Sequence, residues 1–293
     1  MKTIWGELLG QEFRQTYYNA NGVRTRAIEA GEGRPLVFLH GTGGHAEAYA
    51  RNIAAHAKHF HVYAIDMVGH GYSDKPDLPY VIDDFVNHLR DFLDAIKAEK
   101  AIVSGESLGA MVGAWLAIKD PDRMEKLVLN TGILMPPNEK GRRELLDVLE
   151  RSRAATGQIT REAVRKRMEW LMHDPRDVTD EIVEVRYRIY TQPGAGPILR
   201  KISESILGRA SDPEKAKQWF NPEKLREIRC PTLVLWTRHN PGQPVELAEE
   251  GARMIPDARF VVLENSAHWP QWEEPEEFNK LHLEFLTGGS QAS

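Results

Sequence analysis

One pentapeptide limits this chain more than anything else in it. Gly105-Glu106-Ser107-Leu108-Gly109 follows the apolar run Ala101-Ile102-Val103 and precedes small and apolar residues from Ala110 to Ile118. A short apolar run ending in glycine predicts a buried strand, and the longer stretch behind it predicts a helix. A serine at the apex of such a strand-to-helix turn holds a strained backbone, and small neighbours let strand and helix approach each other. The turn lifts the serine oxygen clear of the sheet and aims a helix N-terminus at it, which favours developing negative charge. Ser107 is therefore the candidate nucleophile.

The surrounding pattern alternates two kinds of element. Gln15–Ala20 and Val23–Ala30 flank Asn21-Gly22, a hairpin signal, because both turn residues tolerate a left-handed backbone. Strands are predicted at Leu36–Leu39, His61–Asp66, Ala101–Val103, Lys126–Asn130, Pro231–Trp236 and Arg259–Leu263. Helices are predicted between them at Ala46–His59, Val81–Ile96, Ala110–Ile118 and Val245–Ile255, with a last one over Glu276–Leu286. Strands alternating with helices imply βαβ units and an α/β fold with a mostly parallel sheet. The rhythm breaks between Gly132 and Pro222, where the chain is charged, helical and without a convincing buried strand. That predicts a core of residues 1–132 and 223–293 carrying a helical cap or lid at 133–222.

Two further segments bear on Ser107. His40-Gly41-Thr42-Gly43-Gly44 ends a predicted strand and lacks the Gly-Lys-Ser/Thr ending of a nucleotide loop. Such a loop offers a backbone amide to the serine, and the Thr42 and Leu108 N–H groups are the expected oxyanion hole. Gly41, Gly43 and Glu106 are expected to border the substrate. His268 follows the last predicted strand, in Ser266-Ala267-His268-Trp269-Pro270, and is the candidate general base, with Trp269 beside the substrate. An acid should follow the Thr232–Trp236 strand, but four residues past Trp236 stands Asn240. Asparagine can orient an imidazole yet cannot stabilise imidazolium by charge, and that replacement costs a serine protease about 10⁴ in kcat. Three readings stay open: a variant whose acid is gone, a carboxylate from elsewhere (Glu264 and Glu246 are nearest in sequence), or a Ser-His pair oriented by Asn240.

Composition excludes some classes of partner. A net charge of −5 with no basic stripe argues against nucleic acid. The lone Cys230 permits no intrachain disulfide and suits a reducing compartment. No run reaches the roughly 18 apolar residues of a membrane span. No His/Asp/Glu cluster has ligand spacing, so neither metal nor other cofactor is expected. The expectation is a cytoplasmic protein acting on a small molecule without membrane or nucleic-acid partners, with a homo-oligomer left open.

Taken together, these residues resemble the α/β-hydrolase superfamily from about residue 16 to 287. Within it the chain looks most like the meta-cleavage-product hydrolases, which cut a carbon–carbon bond in 2-hydroxy-6-oxo-dienoates. The likeness rests on His268-Trp269-Pro270-Gln271-Trp272-Glu273 with Glu277-Phe278-Asn279, on the strand Val234-Leu235-Trp236, and on Arg186. It implies an α/β-hydrolase fold and a serine-dependent, cofactor-free hydrolase. It also implies that Arg186 holds a substrate carboxylate from the lid; on composition alone, an arginine in a charged helical segment would be a solvated or ion-paired one. Two departures stand out: Asn240 at the acid position, and Glu106 where the family has an asparagine that helps bind the dienoate. Glutamate there repels an anion unless protonated or paired, so an ester, lactone or carbamate substrate fits the same machinery, as does a catalytically weakened ligand-binding protein.

Overall fold

The computed structural model describes residues 3–288. Eight strands form one sheet: β1 (Arg14–Ala20), β2 (Val23–Ala30), β3 (Pro35–Leu39), β4 (His61–Ile65), β5 (Ala101–Glu106), β6 (Met124–Asn130), β7 (Thr232–Thr237) and β8 (Ala258–Leu263). Their spatial order is β1-β2-β4-β3-β5-β6-β7-β8. The expected hairpin pairs β1 with β2 antiparallel, and β2 pairs antiparallel with β4. From β4 to β8 every pairing is parallel.

Both faces of the parallel region are buried, which explains why its strands are apolar without interruption. Alternate residues serve opposite layers. Val37, Leu39, Val103, Leu129 and Val234 join one core with Phe85, Leu89, Val112 and Leu116 from the Ile82–Ala95 and Leu108–Lys119 helices. Leu36, Phe38, Ile102, Val128 and Leu233 join the other with Ile53 and Phe278 from the Ala50–His56 and Pro275–Thr287 helices. The expected helix over Ala46–His59 is broken into a 3₁₀ turn, Ala46–Tyr49, and a shorter helix from Ala50 to His56.

The chain runs from β3 outward to β4, then crosses back to lay β5 on the other side of β3. At such a reversal the loops after the two strands diverge and leave a crevice at their carboxyl ends, the usual ligand position in open α/β sheets. Here those loops are Gly41–Gly44 and the turn at Ser107. Between β6 and β7 the chain leaves the sheet for the helices Glu139–Gly157, Arg161–Glu169, Asp180–Tyr190, Ala195–Ala210 and Pro213–Ala216. Leu145, Val148, Arg167, Trp170 and Leu207 from this segment line the pocket that holds Ser107. No helix among the described residues is long and apolar enough to cross a membrane.

Candidate active site

Ser107 has φ 53° and ψ −112°, a conformation that side chains beyond glycine rarely adopt and that only a rigid surrounding holds. Its amide donates to the Asn130 carbonyl on β6 at 2.9 Å. The flanking glycines make the turn possible. A Cβ on Gly105 would lie 2.1 Å from the Gly109 backbone, and one on Gly109 would lie 2.4 Å from the Leu39 carbonyl. Leu108 is the first residue of the following helix, so its amide has no partner one turn back.

The glycine loop beside it is fixed from two sides. The Gly43 amide donates to His70 Nε2 at 3.1 Å, and His70 Nδ1 donates to the Val68 carbonyl at 3.2 Å. Burial pushes the His70 imidazolium well below its ordinary range, which keeps Nε2 an acceptor. From above, the Tyr190 hydroxyl donates to the Gly43 carbonyl at 2.9 Å. Thr42 sits between these anchors, lines the pocket, and has a buried hydroxyl without a hydrogen-bond partner.

His268 is half-buried at the pocket wall. Its amide donates to the Leu171 carbonyl in the helical segment at 2.9 Å, and its carbonyl accepts from Thr131 Oγ1 at 3.0 Å. Glu273 holds the same loop, accepting from the Ala267, Trp269 and His173 amides at 3.1, 3.0 and 2.6 Å. Burial pushes the Glu273 carboxyl up to about 7 against those three amides, which pull it down. Sequence inspection gave Glu273 no role; it shows only as the end of the His-Trp-Pro-Gln-Trp-Glu string.

Asn240 Oδ1 lies 2.7 Å from His268 Nδ1, and Asn240 Nδ2 donates to the Gln243 carbonyl at 3.0 Å. Glu264 and Glu246, the carboxylates weighed as substitutes, are both elsewhere. Glu264 is exposed and pairs with Arg238 at 2.8 Å, and Glu246 is exposed on the helix after β7. They were chosen for nearness in sequence, and the β7 and β8 loops turn them outward. The carboxylate that does meet the imidazole is Glu106, whose Oε1 is 3.1 Å from His268 Nε2.

Gly41, Thr42, Glu106, Ser107, His268 and Trp269 all line one pocket. Gly43 does not; it props the loop instead. Arg186 is 1 % exposed, so it is no solvated surface residue. Its guanidinium carbon lies 4.9 Å from the Trp269 ring centroid, and its Nε and Nη2 have no hydrogen-bond partner. Arg186 is not among the residues lining the Ser107 pocket; another buried arginine, Arg167, does line it and was missed, its Nε donating to Ser152 Oγ at 2.9 Å while Nη1 has no partner among the described residues. Burial lowers the Arg167 guanidinium to about 10. No group of three or more His, Cys, Asp or Glu among the described residues is placed to hold a metal ion.

A strained serine at a strand-to-helix turn, a histidine after the last strand and a glycine loop at the sheet's reversal define a class, and comparison with known proteins agrees. Residues 34–275 match the family model described as alpha/beta hydrolase fold, and the chain belongs to that family. It is 30 % identical over 285 residues to the 2-hydroxymuconate semialdehyde hydrolase of Pseudomonas sp. (strain CF600), covering 94 % of each chain. It is 29 % identical to the 2-hydroxy-6-oxo-6-(2'-aminophenyl)hexa-2,4-dienoic acid hydrolase of Metapseudomonas resinovorans, over 93 % of this chain and 91 % of that one. Among solved structures, a meta-cleavage product hydrolase from Pseudomonas fluorescens IP01 superposes with a TM-score of 0.78 at 27 % identity, covering 93 % of this chain and 97 % of that one.

Proposed function

We propose that the protein is a serine hydrolase that cleaves a carbon–carbon bond in a meta-cleavage-type dienoate, a small anionic product of aromatic ring opening. The observation that carries this is Arg186. A guanidinium 1 % exposed with two nitrogens lacking hydrogen-bond partners among the described residues is costly to hold. A substrate carboxylate accepting from it removes that cost, and Trp269 behind it supplies a π face. The names of the two relatives given above, hydrolases of a hydroxy-oxo-dienoic acid and of a muconate semialdehyde, support the same substrate class.

In this reading residues 133–222 act as a lid, and the substrate lies between Arg186 and the sheet. His268, held by Asn240, takes a proton from the substrate hydroxyl or from Ser107. Ser107 Oγ attacks the carbonyl carbon, and the Thr42 and Leu108 amides hold the oxygen as it gains charge. Water then releases the acid and regenerates the serine. A second reading, hydrolysis of an uncharged ester or lactone, is favoured by Glu106, whose carboxylate borders the serine.

The test is turnover of a dienoate panel beside an ester and lactone panel, together with labelling by a small fluorophosphonate. We expect dienoate cleavage and single labelling, both lost in Ser107→Ala. Turnover of esters alone moves the assignment to the second reading, and no labelling at all refutes both.

A further inference from the structure

Asn240 leaves the imidazole without a charge partner on its Nδ1 side. The structure holds a carboxylate on the other side. Asn240 Nδ2 donates to the Gln243 carbonyl, which can only accept. Gln243 is itself held, its side-chain nitrogen donating to the Ile133 and Met135 carbonyls at 3.1 and 2.6 Å. Oδ1 of Asn240 must then face His268, so Nδ1 carries a hydrogen. Glu106 Oε2 accepts from the Gly41 amide at 2.6 Å, which leaves Oε1 for His268 Nε2 at 3.1 Å. A lone pair on Nε2 would repel a carboxylate oxygen at that distance. The contact is a short-range approach of ring nitrogen and carboxylate and not an aligned hydrogen bond.

Other features show that the carboxylate is placed there by the fold. Glu106 is 1 % exposed at the end of β5. A Cβ on Gly41 would lie 2.6 and 2.7 Å from its two carboxylate oxygens, so the loop gives up a side chain to admit it. Ser107 Oγ makes no hydrogen bond among the described residues, so the serine does not engage Nε2, and Glu106 Oε1 lies 3.1 Å from that nitrogen.

Resting on His268 as the base proposed above, we infer that Glu106 is the acid of this active site, supplying to Nε2 the charge that Asn240 cannot supply to Nδ1. In the working state of this proposal Glu106 is a carboxylate and His268 is neutral. Ser107 Oγ–H gives its proton to Nε2, the Oγ–C bond forms, and the carbonyl π pair moves onto oxygen. The imidazolium so made lies between Asn240 Oδ1 and Glu106 Oε1. On collapse the proton passes to the leaving atom as its bond to the carbonyl carbon breaks, and the pair regains its former charge; water repeats the cycle. The usual acid sits behind the histidine and away from the serine. Here it sits beside the serine, within the pocket lining.

The experiment is the fluorophosphonate labelling rate of the full chain and four variants: Ser107→Ala, Glu106→Gln, Asn240→Asp and the double Glu106→Gln/Asn240→Asp. Thermal melting of each checks folding. Glutamine keeps an oxygen for the Gly41 amide and loses only the charge. We expect Glu106→Gln to label about 100-fold more slowly, the low end of what acid–base assistance contributes. The double variant, its charge moved to the Nδ1 side, is expected within about tenfold of the unaltered chain. Asn240→Asp alone is expected to gain far less than the roughly 100-fold that Glu106→Gln loses, because the charge is already present. Unchanged labelling in Glu106→Gln, a folded double variant as slow as the single, or a 100-fold gain from Asn240→Asp alone each overturn the proposal. If the unaltered chain labels no faster than Ser107→Ala, the underlying serine–histidine reading has failed, an outcome distinct from those three.

Discussion

Buried arginines on β2 and in the helical segment are built to opposite specifications. Arg26 on β2 has its Nε 2.6 Å from Asp66 Oδ2 and its Nη2 2.7 Å from Glu47 Oε2. The Nε contact is an ion pair at short range and not an aligned hydrogen bond. Asp66 also accepts from the Ala46 and Tyr72 amides, both at 2.8 Å, so one carboxylate ties β2 to two loops. Burial works against the Arg26 charge, but Asp66 and Glu47 outweigh it and raise the guanidinium above its ordinary value. Arg186 and Arg167, in the helical segment, are buried too, yet among the described residues neither pairs with a carboxylate, and nitrogens on each go without a hydrogen-bond partner. An arginine that serves the fold brings its counter-charge with it. The two in the helical segment do not, which is the pattern the proposed substrate carboxylate would complete.

The comparison can be broken first by acid, the largest expected effect. His40 and His88 sit beside the Arg26 network as buried neutral rings. Met67 N–H donates to His40 Nε2 at 3.1 Å and Val68 N–H donates to His88 Nδ1 at 3.2 Å. Burial lowers the two to about 4 and about 3. The unfolded chain, with histidines near 6.5, takes up protons first. Stability is therefore complete above that pH and is lost as pH falls toward 4 and below, by roughly 3–5 kcal/mol for each ring. Urea midpoints measured from pH 7.5 down to 4 should decline steeply, and a flat profile would show that these rings are free to charge.

Next come the two arginines themselves. Arg26→Met strands Asp66 and Glu47 without a counter-charge and should cost about 3–5 kcal/mol in urea unfolding. Arg186→Met removes a charge that has no partner, so its melting temperature should hold or rise, while kcat/KM on a dienoate falls roughly 30- to 1000-fold. Equal destabilisation by both variants would end the distinction between fold-serving and ligand-serving arginine. The smallest effect is expected from Tyr190→Phe, which deletes one hydrogen bond between the helical segment and Gly43. About 1 kcal/mol is at stake there, so steady-state kinetics should show kcat/KM falling severalfold with little change in melting.

Legibility from sequence divided along the same line. Ser107, His268 and the Gly41–Gly44 loop could be read because each obeys a local rule: a glycine-flanked turn, a position after the last strand, a turn at a strand end. The strands were readable because both faces of a parallel sheet are buried and the residues are apolar throughout. The Glu106 partnership was not, since its histidine lies 162 residues away and only the crossing of β3, β5 and the last loop brings them together. Arg167 and Arg186 sit in helices whose composition is that of a solvated surface. Their burial follows from how that segment docks, and no spacing announces it.

Tyr190 and Arg186 belong to the same helix, Asp180–Tyr190, four residues apart. On the reading proposed above, one helix thus carries both the guanidinium that meets the substrate carboxylate and the hydroxyl that steadies the glycine loop beside the serine. Recognition and the readiness of the serine's surroundings would then answer to a single element.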